Sequence, residues 1–375
     1  MSLFRHVTRE AAGPVAVLNL AIAMTATPIS AWAQGRILAP EPSGLFTQFL
    51  VSPTPASPHG IAVDANRELW VTLAGANAIA RVSGELGSAR VRLAEYAIPT
   101  PNAFPQGIAV RSDGSVWFAE LRGGKIGRLD PANGDIREYS LPDPRSGPVW
   151  IAISDDGNIW FTEAEAGRIG VLEPSTGSIR EFSIPTPNAV PLSIRRAPDG
   201  TLWFPEHEGN KIGRLDPVTG EIREFPIPTI ASGPADIAFA PDGSVWFTEL
   251  DGGKIGRLDP ATGGIREFPL ANARTTRTSG PAILAWGPDG ALWFTEMYGN
   301  RLGRIDTRTF RISRVQLPSP ARVSGRRVAA IDADDDRPAS LQSDGPASLI
   351  AGPDGTLWYT AMYGNKLGRF EPLRR

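Results

Sequence analysis

The chain has no cysteine and only three histidines, His6, His59 and His207. Missing thiols exclude disulfide staples, thiolate metal centres and cysteine nucleophiles, so stability has to come from packing. An excess of either charge is also missing. The 38 Lys and Arg against 40 Asp and Glu leave a formal net charge of −2, which offers no basic field to nucleic acid or to an acidic membrane. Nor is there a long apolar run. The best candidate, 11–23, is interrupted by Asn19 and is short for a membrane span. It follows Arg5 and Arg9 and precedes Ala31-Trp32-Ala33, the small-x-small form that signal peptidase reads. Residues 1–33 are therefore expected to be a signal peptide cleaved before Gln34. The mature chain is then periplasmic or secreted, with no membrane span left.

What the sequence does contain is a repeat. In 233–269 four strand-length apolar runs are separated by Asp242-Gly243, Gly252-Gly253 and Pro260-Ala261-Thr262-Gly263, residues that supply positive φ or a preset bend. This predicts a four-stranded antiparallel meander. One tryptophan recurs in its second strand, as Trp70, Trp117, Trp160, Trp203, Trp246, Trp293 and Trp358. The spacings are 47, 43, 43, 43, 47 and 65 residues, and a period near 43 with four strands per unit is that of a propeller blade. The fold class predicted is all-β, a seven-bladed propeller.

Residues 34–45 read as a loose lead-in and 46–375 as the propeller. Phe46-Thr47-Gln48-Phe49-Leu50-Val51 matches the fourth-strand text Arg180-Glu181-Phe182-Ser183-Ile184, whereas the chain ends soon after the third-strand text Lys366-Leu367-Gly368-Arg369-Phe370. The N-terminal strand is therefore expected to complete the last blade and close the ring. An insertion at 319–345 separates blades six and seven and carries Arg322, Arg326, Arg327, Asp332, Asp334, Asp335 and Asp336. A polar insertion of this kind reads first as a solvated excursion and second as a lid. The chain is expected to be a monomer.

If the first strand of each blade descends beside the axis and the second climbs back, three features meet at one face. They are the residue after each first-strand proline, the residue three past each tryptophan, and the long interblade loops. The first column reads His59, Gln106, Val149, Leu192, Ala235, Ala282 and Ala347, followed by Gly60, Gly107, Trp150, Ser193, Asp236, Ile283 and Ser348. The second contains Glu120, Glu163, Glu206, Glu249 and Glu296, with Leu73 and Ala361 in the outer two blades. Lys125, Arg168, Lys211, Lys254 and Arg301 stand five residues beyond those glutamates, so a repeated ion pair is expected. His59 breaks the symmetry, and an imidazole there could be a base, an acid or a metal ligand. Gln106, Trp150, Asp236 and His207 join it as candidate ligand contacts, with His207 between Glu206 and Glu208.

The repeat text, seen in Pro198-Asp199-Gly200-Thr201-Leu202-Trp203-Phe204, Gly209-Asn210-Lys211-Ile212-Gly213-Arg214 and Glu224-Phe225-Pro226-Ile227-Pro228, resembles the streptogramin (virginiamycin B) lyase family over 46–370. The resemblance implies a seven-bladed propeller that opens cyclic depsipeptides by magnesium-dependent elimination across an ester C–O bond. It also implies a histidine base and a second, substrate-binding histidine in the last two blades, where this chain has Ala282 and Ala347. The implied metal carboxylates fall on Gly345 and Met362, and His59 falls where an aromatic substrate contact is implied. Three readings follow. One is an exported carbon–oxygen lyase-like propeller holding a small or peptidic ligand at the mouth. The second is a lyase or lactonase-like hydrolase with relocated residues, using His59, Asp236 and the nearby glutamates with Mg2+ or Ca2+. The third is an envelope protein-interaction platform using the rim loops and the insertion.

Overall fold

The computed structural model describes residues 36–38, 40–43, 46–52, 55–84, 91–270, 279–318 and 344–372. The expected signal peptide lies outside the described residues, as does the 319–345 insertion apart from Asp344 and Gly345. The seven tryptophans sit in the second strands of seven antiparallel sheets: Leu69–Leu73, Val116–Glu120, Ile159–Glu163, Leu202–Glu206, Val245–Glu249, Leu292–Glu296 and Leu357–Ala361. No helix occurs among the described residues. Each sheet is a meander whose order in space is its order in sequence, except the first and the last, which take in strands from the start of the chain. In the last, Phe46–Leu50 pairs antiparallel with Lys366–Phe370, from Phe46 opposite Phe370 to Leu50 opposite Lys366, and so closes the ring. Stacking of Phe46 on Phe370 and of Phe49 on Trp358 adds apolar contact to this seam. Two further short strands were not foreseen. Arg36–Leu38 extends the first blade alongside Val91–Ala97, and Pro40–Ser43 pairs with Phe46–Leu50.

Both faces of a blade are covered by its neighbours, which is why Trp246 and Phe247 are both buried although they point in opposite directions. On one face the tryptophan stacks on the fourth-strand aromatic of its own blade, as Trp117 does on Tyr139, Trp160 on Phe182, Trp203 on Phe225 and Trp246 on Phe268. On the other, the phenylalanine lies flat on a third-strand glycine. A Cβ at Gly127, Gly170, Gly213, Gly256 or Gly303 would overlap the ring opposite. In blade one Val71 replaces the ring, and the residue facing it is Ala80 instead.

The register brings the start of the first strand level with the end of the second. Pro105 faces Glu120, Pro148 faces Glu163, Pro234 faces Glu249 and Pro281 faces Glu296. Beside them a threonine two past the tryptophan joins one blade to the next. Thr72, Thr162, Thr248 and Thr360 donate to the first-column carbonyls of Gln106, Leu192, Ala282 and His59. The same hydroxyls of Thr72, Thr162 and Thr248 accept from the backbone N–H groups of Gly60, Trp150 and Asp236. Blade four has Pro205 in this place, which removes both the hydroxyl and a backbone donor. Its first strand is the shortest, reduced to Arg195–Arg196.

Candidate functional site around the axial mouth

The glutamate column is enclosed rather than displayed. Glu120, Glu163, Glu206, Glu249 and Glu296 are all fully buried at the second-strand ends. The expected pairing with the cation five residues on forms only in blade six, where Arg301 and Arg314 both reach Glu296. In blades two to five the cation turns to the fourth-strand glutamate: Lys125 to Glu138, Arg168 to Glu181, Lys211 to Glu224 and Lys254 to Glu267. Threonines of the loop entering the blade supply a second acceptor, as Thr100 does for Lys125 at 2.6 Å and Thr186 for Lys211 at 2.6 Å. The cation thus leaves the fully buried carboxylate for a half-buried one, which costs less desolvation. The abandoned carboxyls of Glu120, Glu163, Glu206 and Glu249 accept no hydrogen bond. Burial, reinforced by the neighbouring fourth-strand glutamate, raises Glu120 and Glu249 to about 8 and Glu163 and Glu206 to about 7. The column is a set of protonatable groups inside the wall, and it does not line the mouth.

The mouth itself divides into two arcs. The polar arc belongs to blades one to four. His59 is half-buried, with Nδ1 3.0 Å from the carbonyl of Ser57. That contact requires the proton on Nδ1 and leaves Nε2 as an acceptor. Burial pulls the imidazole pKa below its ordinary value, only partly opposed by the Ser57 bond, so the ring is neutral at pH 7. Phe104 meets His59 edge-on at 5.6 Å, and the guanidinium of Arg122 lies 4.2 Å above Phe104. Gln106 and Trp150 are also half-buried. These blades crowd closely, because a Cβ at Gly107 would fall 2.7 Å from the Cα of Trp150.

Asp236 is fully buried and is not open to a ligand. It receives Arg195 through both oxygens, at 3.2 and 2.9 Å, and accepts the backbone N–H of Leu284 at 3.0 Å. The Arg195 guanidinium in turn lies 5.6 Å from the Trp150 ring centre. Arg195 was missed in the sequence, although a signal existed. It occupies a first-strand place where five blades have alanine: Ala62, Ala109, Ala152, Ala238 and Ala285. His207 is buried, with Nε2 3.6 Å from Asp251 of blade five. Its partner is therefore neither of the adjacent glutamates, Glu206 or Glu208.

The apolar arc belongs to blades four to seven. Leu192, Ala235, Ala282 and Ile283 form one cluster with Leu250 and Met297, and Trp150, Tyr298, Ala347 and Met362 pack against it. Two tyrosines press on the loop glycines that precede the first strands. Gly280 and Gly345 have φ of 64° and 62°, and a Cβ on either would overlap Tyr298 or Tyr363.

The model of the virginiamycin B lyase family matches residues 44–322. The chain belongs to that family. Among solved structures it is similar to selenomethionine-substituted virginiamycin B lyase of Staphylococcus aureus, with a TM-score of 0.73 and 32% identity over 88% of this chain and 99% of that one. It is also similar to the catalytically inactive histidine-to-alanine variant of that enzyme with quinupristin, at a TM-score of 0.72 and 33% identity, covering 88% of this chain and 99% of that one. A curated relative, virginiamycin B lyase of Nocardia farcinica, is 35% identical over 26% of this chain and 31% of its own length. The stretch matched is thus about a third of that relative.

Measured against the virginiamycin B lyase resemblance, the places implied for the two histidines are Ala282 and Ala347, both within the apolar arc. The implied metal carboxylates fall on Met362 and on Gly345, whose left-handed backbone and overlying Tyr363 leave no room for a side chain. These residues do not fit a magnesium ion. Among the described residues no cluster of three or more His, Asp or Glu could hold one elsewhere.

Proposed function

We propose that this chain is an exported, ligand-binding member of the virginiamycin B lyase family, which holds a small or peptidic ligand at the mouth and does not carry out the elimination. One observation carries the reading. The arc where the family resemblance implies the catalytic base, the second histidine and the metal is apolar in this chain, with Ala282, Ala347, Met362 and Gly345 in those places.

The two arcs suit a ligand that is part aromatic and part amide. Met297, Met362 and Tyr298 offer adaptable apolar contact, and the Nε2 of His59 accepts a hydrogen bond from an amide N–H. Trp150 joins the two arcs and supplies a ring for stacking. The inactive histidine-to-alanine variant solved with quinupristin supports the principle that ligand retention and turnover are separable in this fold. A relocated hydrolytic site built on His59 and Asp236 is disfavoured, because both Asp236 oxygens are committed to Arg195 and Leu284.

The test is a mass-spectrometric assay for ring opening of quinupristin with and without Mg2+, beside calorimetry of its binding. The expected result is no opening above buffer, with binding that weakens at least tenfold in Trp150→Ala. Clear linearisation would overturn the non-catalytic reading. Absence of binding would overturn the ligand reading and favour an envelope interaction role.

A further inference from the structure

We propose a second ligand site on the face opposite the mouth, a cleft between blades two and three that takes a small tetrahedral oxyanion of the phosphate or sulfate class. The cleft holds about 500 Å³ and is lined by Arg111, Arg128 and Arg137, with Tyr139, Asp156 and Glu173. It lies where the propeller repeat breaks.

On this face a third-strand arginine is ordinarily neutralised by a carboxylate of the turn between the first two strands. Arg214 pairs with Asp199, Arg257 with Asp242, Arg304 with Asp289 and Arg369 with Asp354. The corresponding pair in blade two would be Arg128 and Asp113. Arg111 appears in this blade alone; the other blades have Asp64, Ser154, Ala197, Ala240, Gly287 and Gly352 in its place. Arg111 takes Asp113 at 3.1 Å, and Arg128 is left with no ion pair among the described residues. Arg111 also extends toward blade three, where Gly157 with its φ of 83° gives it room.

The consequence is electrostatic. Arg128 lies directly opposite Arg137 in the sheet, and Arg214 opposite Arg223 and Arg257 opposite Arg266 repeat that like-charge pair. In blades four and five the aspartate of the turn relieves the repulsion. In blade two Asp113 is taken by Arg111 and acts on Arg128 only at longer range, and like charges facing each other across a ladder are unfavourable. Among the described residues Arg137 has the Tyr139 ring beneath it, at 4.7 Å, and no ion pair.

The two carboxylates at the rim are already engaged. Asp156 accepts Ser154 Oγ and the backbone and side chain of Asn158, while Glu173 accepts the hydroxyls of Ser175 and Thr176. Blade three has Val171 where a third-strand arginine would bind Asp156, so the cleft is not closed from that side. Two facing guanidinium forks match a tetrahedral oxyanion better than a single planar carboxylate does.

The experiment is calorimetry with inorganic phosphate, sulfate and acetate on the whole chain, at constant ionic strength held with NaCl, with melting temperature as a second readout. Phosphate or sulfate is expected to bind at least tenfold more tightly than acetate. Arg128→Ala is expected to abolish binding. Arg111→Ala is expected to weaken it at least tenfold by a different route, because Asp113 then becomes free to neutralise Arg128. Arg214→Ala, the paired equivalent in blade four, is expected to change nothing. Equal binding of acetate, equal binding by the Arg128→Ala variant, or no heat beyond the NaCl control would each overturn the proposal. Because the cleft is remote from the mouth, failure here leaves the quinupristin experiment unaffected.

Discussion

The two arcs of the mouth are built on the same strand text yet have opposite character. In blades one to four the first strands carry His59, Gln106, Trp150 and Arg195 at different levels, with His59 held by the Ser57 carbonyl and Arg195 by Asp236. In blades five to seven the places of His59 and Gln106 are taken by Ala235, Ala282 and Ala347, beside Leu250, Met297 and Met362, and blades three and four have Val149 and Leu192 there. The scaffold tolerates both because its stability resides in the aromatic stacks and threonine ties further from the axis. Changes at the mouth leave those contacts intact. Residues at the mouth can therefore differ from blade to blade without altering the register.

The largest expected effect tests whether the polar arc depends on its buried anchor. Asp236→Ala strands the Arg195 guanidinium and the Leu284 amide, and is expected to cost about 3 kcal/mol, read as a shift in the urea midpoint. An unchanged midpoint would mean that the two arcs are not mechanically distinct. Next, Thr248→Val removes a hydroxyl that ties blade five to blade six beneath the apolar arc. It should cost about 1–2 kcal/mol by the same measurement.

The pH dependence of stability comes from the wall behind both arcs. The folded pKa values of Glu120, Glu163, Glu206 and Glu249 are raised to about 7–8, above their ordinary value. Their contribution is thus fully present below the unfolded carboxylate pKa and is lost as pH rises through 7–8. Glu138, Glu224 and Glu267 are shifted downward by their lysine and threonine partners acting against burial, and contribute in the opposite sense, losing stability as pH falls into the acid range. The melting temperature should be highest near the ordinary glutamate value of 4.5, below which the lowered group loses and above which the raised group loses, and fall by several degrees toward pH 9. The double substitution Glu120→Gln and Glu249→Gln should flatten that fall. The smallest expected effect is that of Arg122→Ala, which removes an exposed cation over Phe104. It should cost about 0.5–1 kcal/mol of stability, while quinupristin affinity reports whether the His59 side of the mouth contributes to binding.

Much of this arrangement was legible in the sequence because it is periodic. The seven tryptophans fixed the number of blades, the fourth-strand text at 46–51 gave the closure, and the spacing from each proline to each glutamate gave the face on which both lie. The partners of the charged groups were harder to read. Lys125 has Glu120 directly opposite in the ladder but bonds Glu138, because the choice depends on burial, which sequence spacing does not report. Arg195 was overlooked because the repeat was read for what recurs, and a single arginine in an alanine position is visible only when departures are sought.

By itself the sequence determined the seven meanders, their order and the strand that closes the ring. These depend on periodicity and on local turn chemistry, which act over a few tens of residues. Only the tertiary structure decided that Glu120, Glu163, Glu206 and Glu249 are enclosed with raised pKa values, that Asp236 is held by Arg195, and that Arg111 takes the aspartate that would pair with Arg128. Each of those outcomes is a competition between charges brought together by neighbouring strands or blades, and it is settled by burial and distance once the sheets have packed.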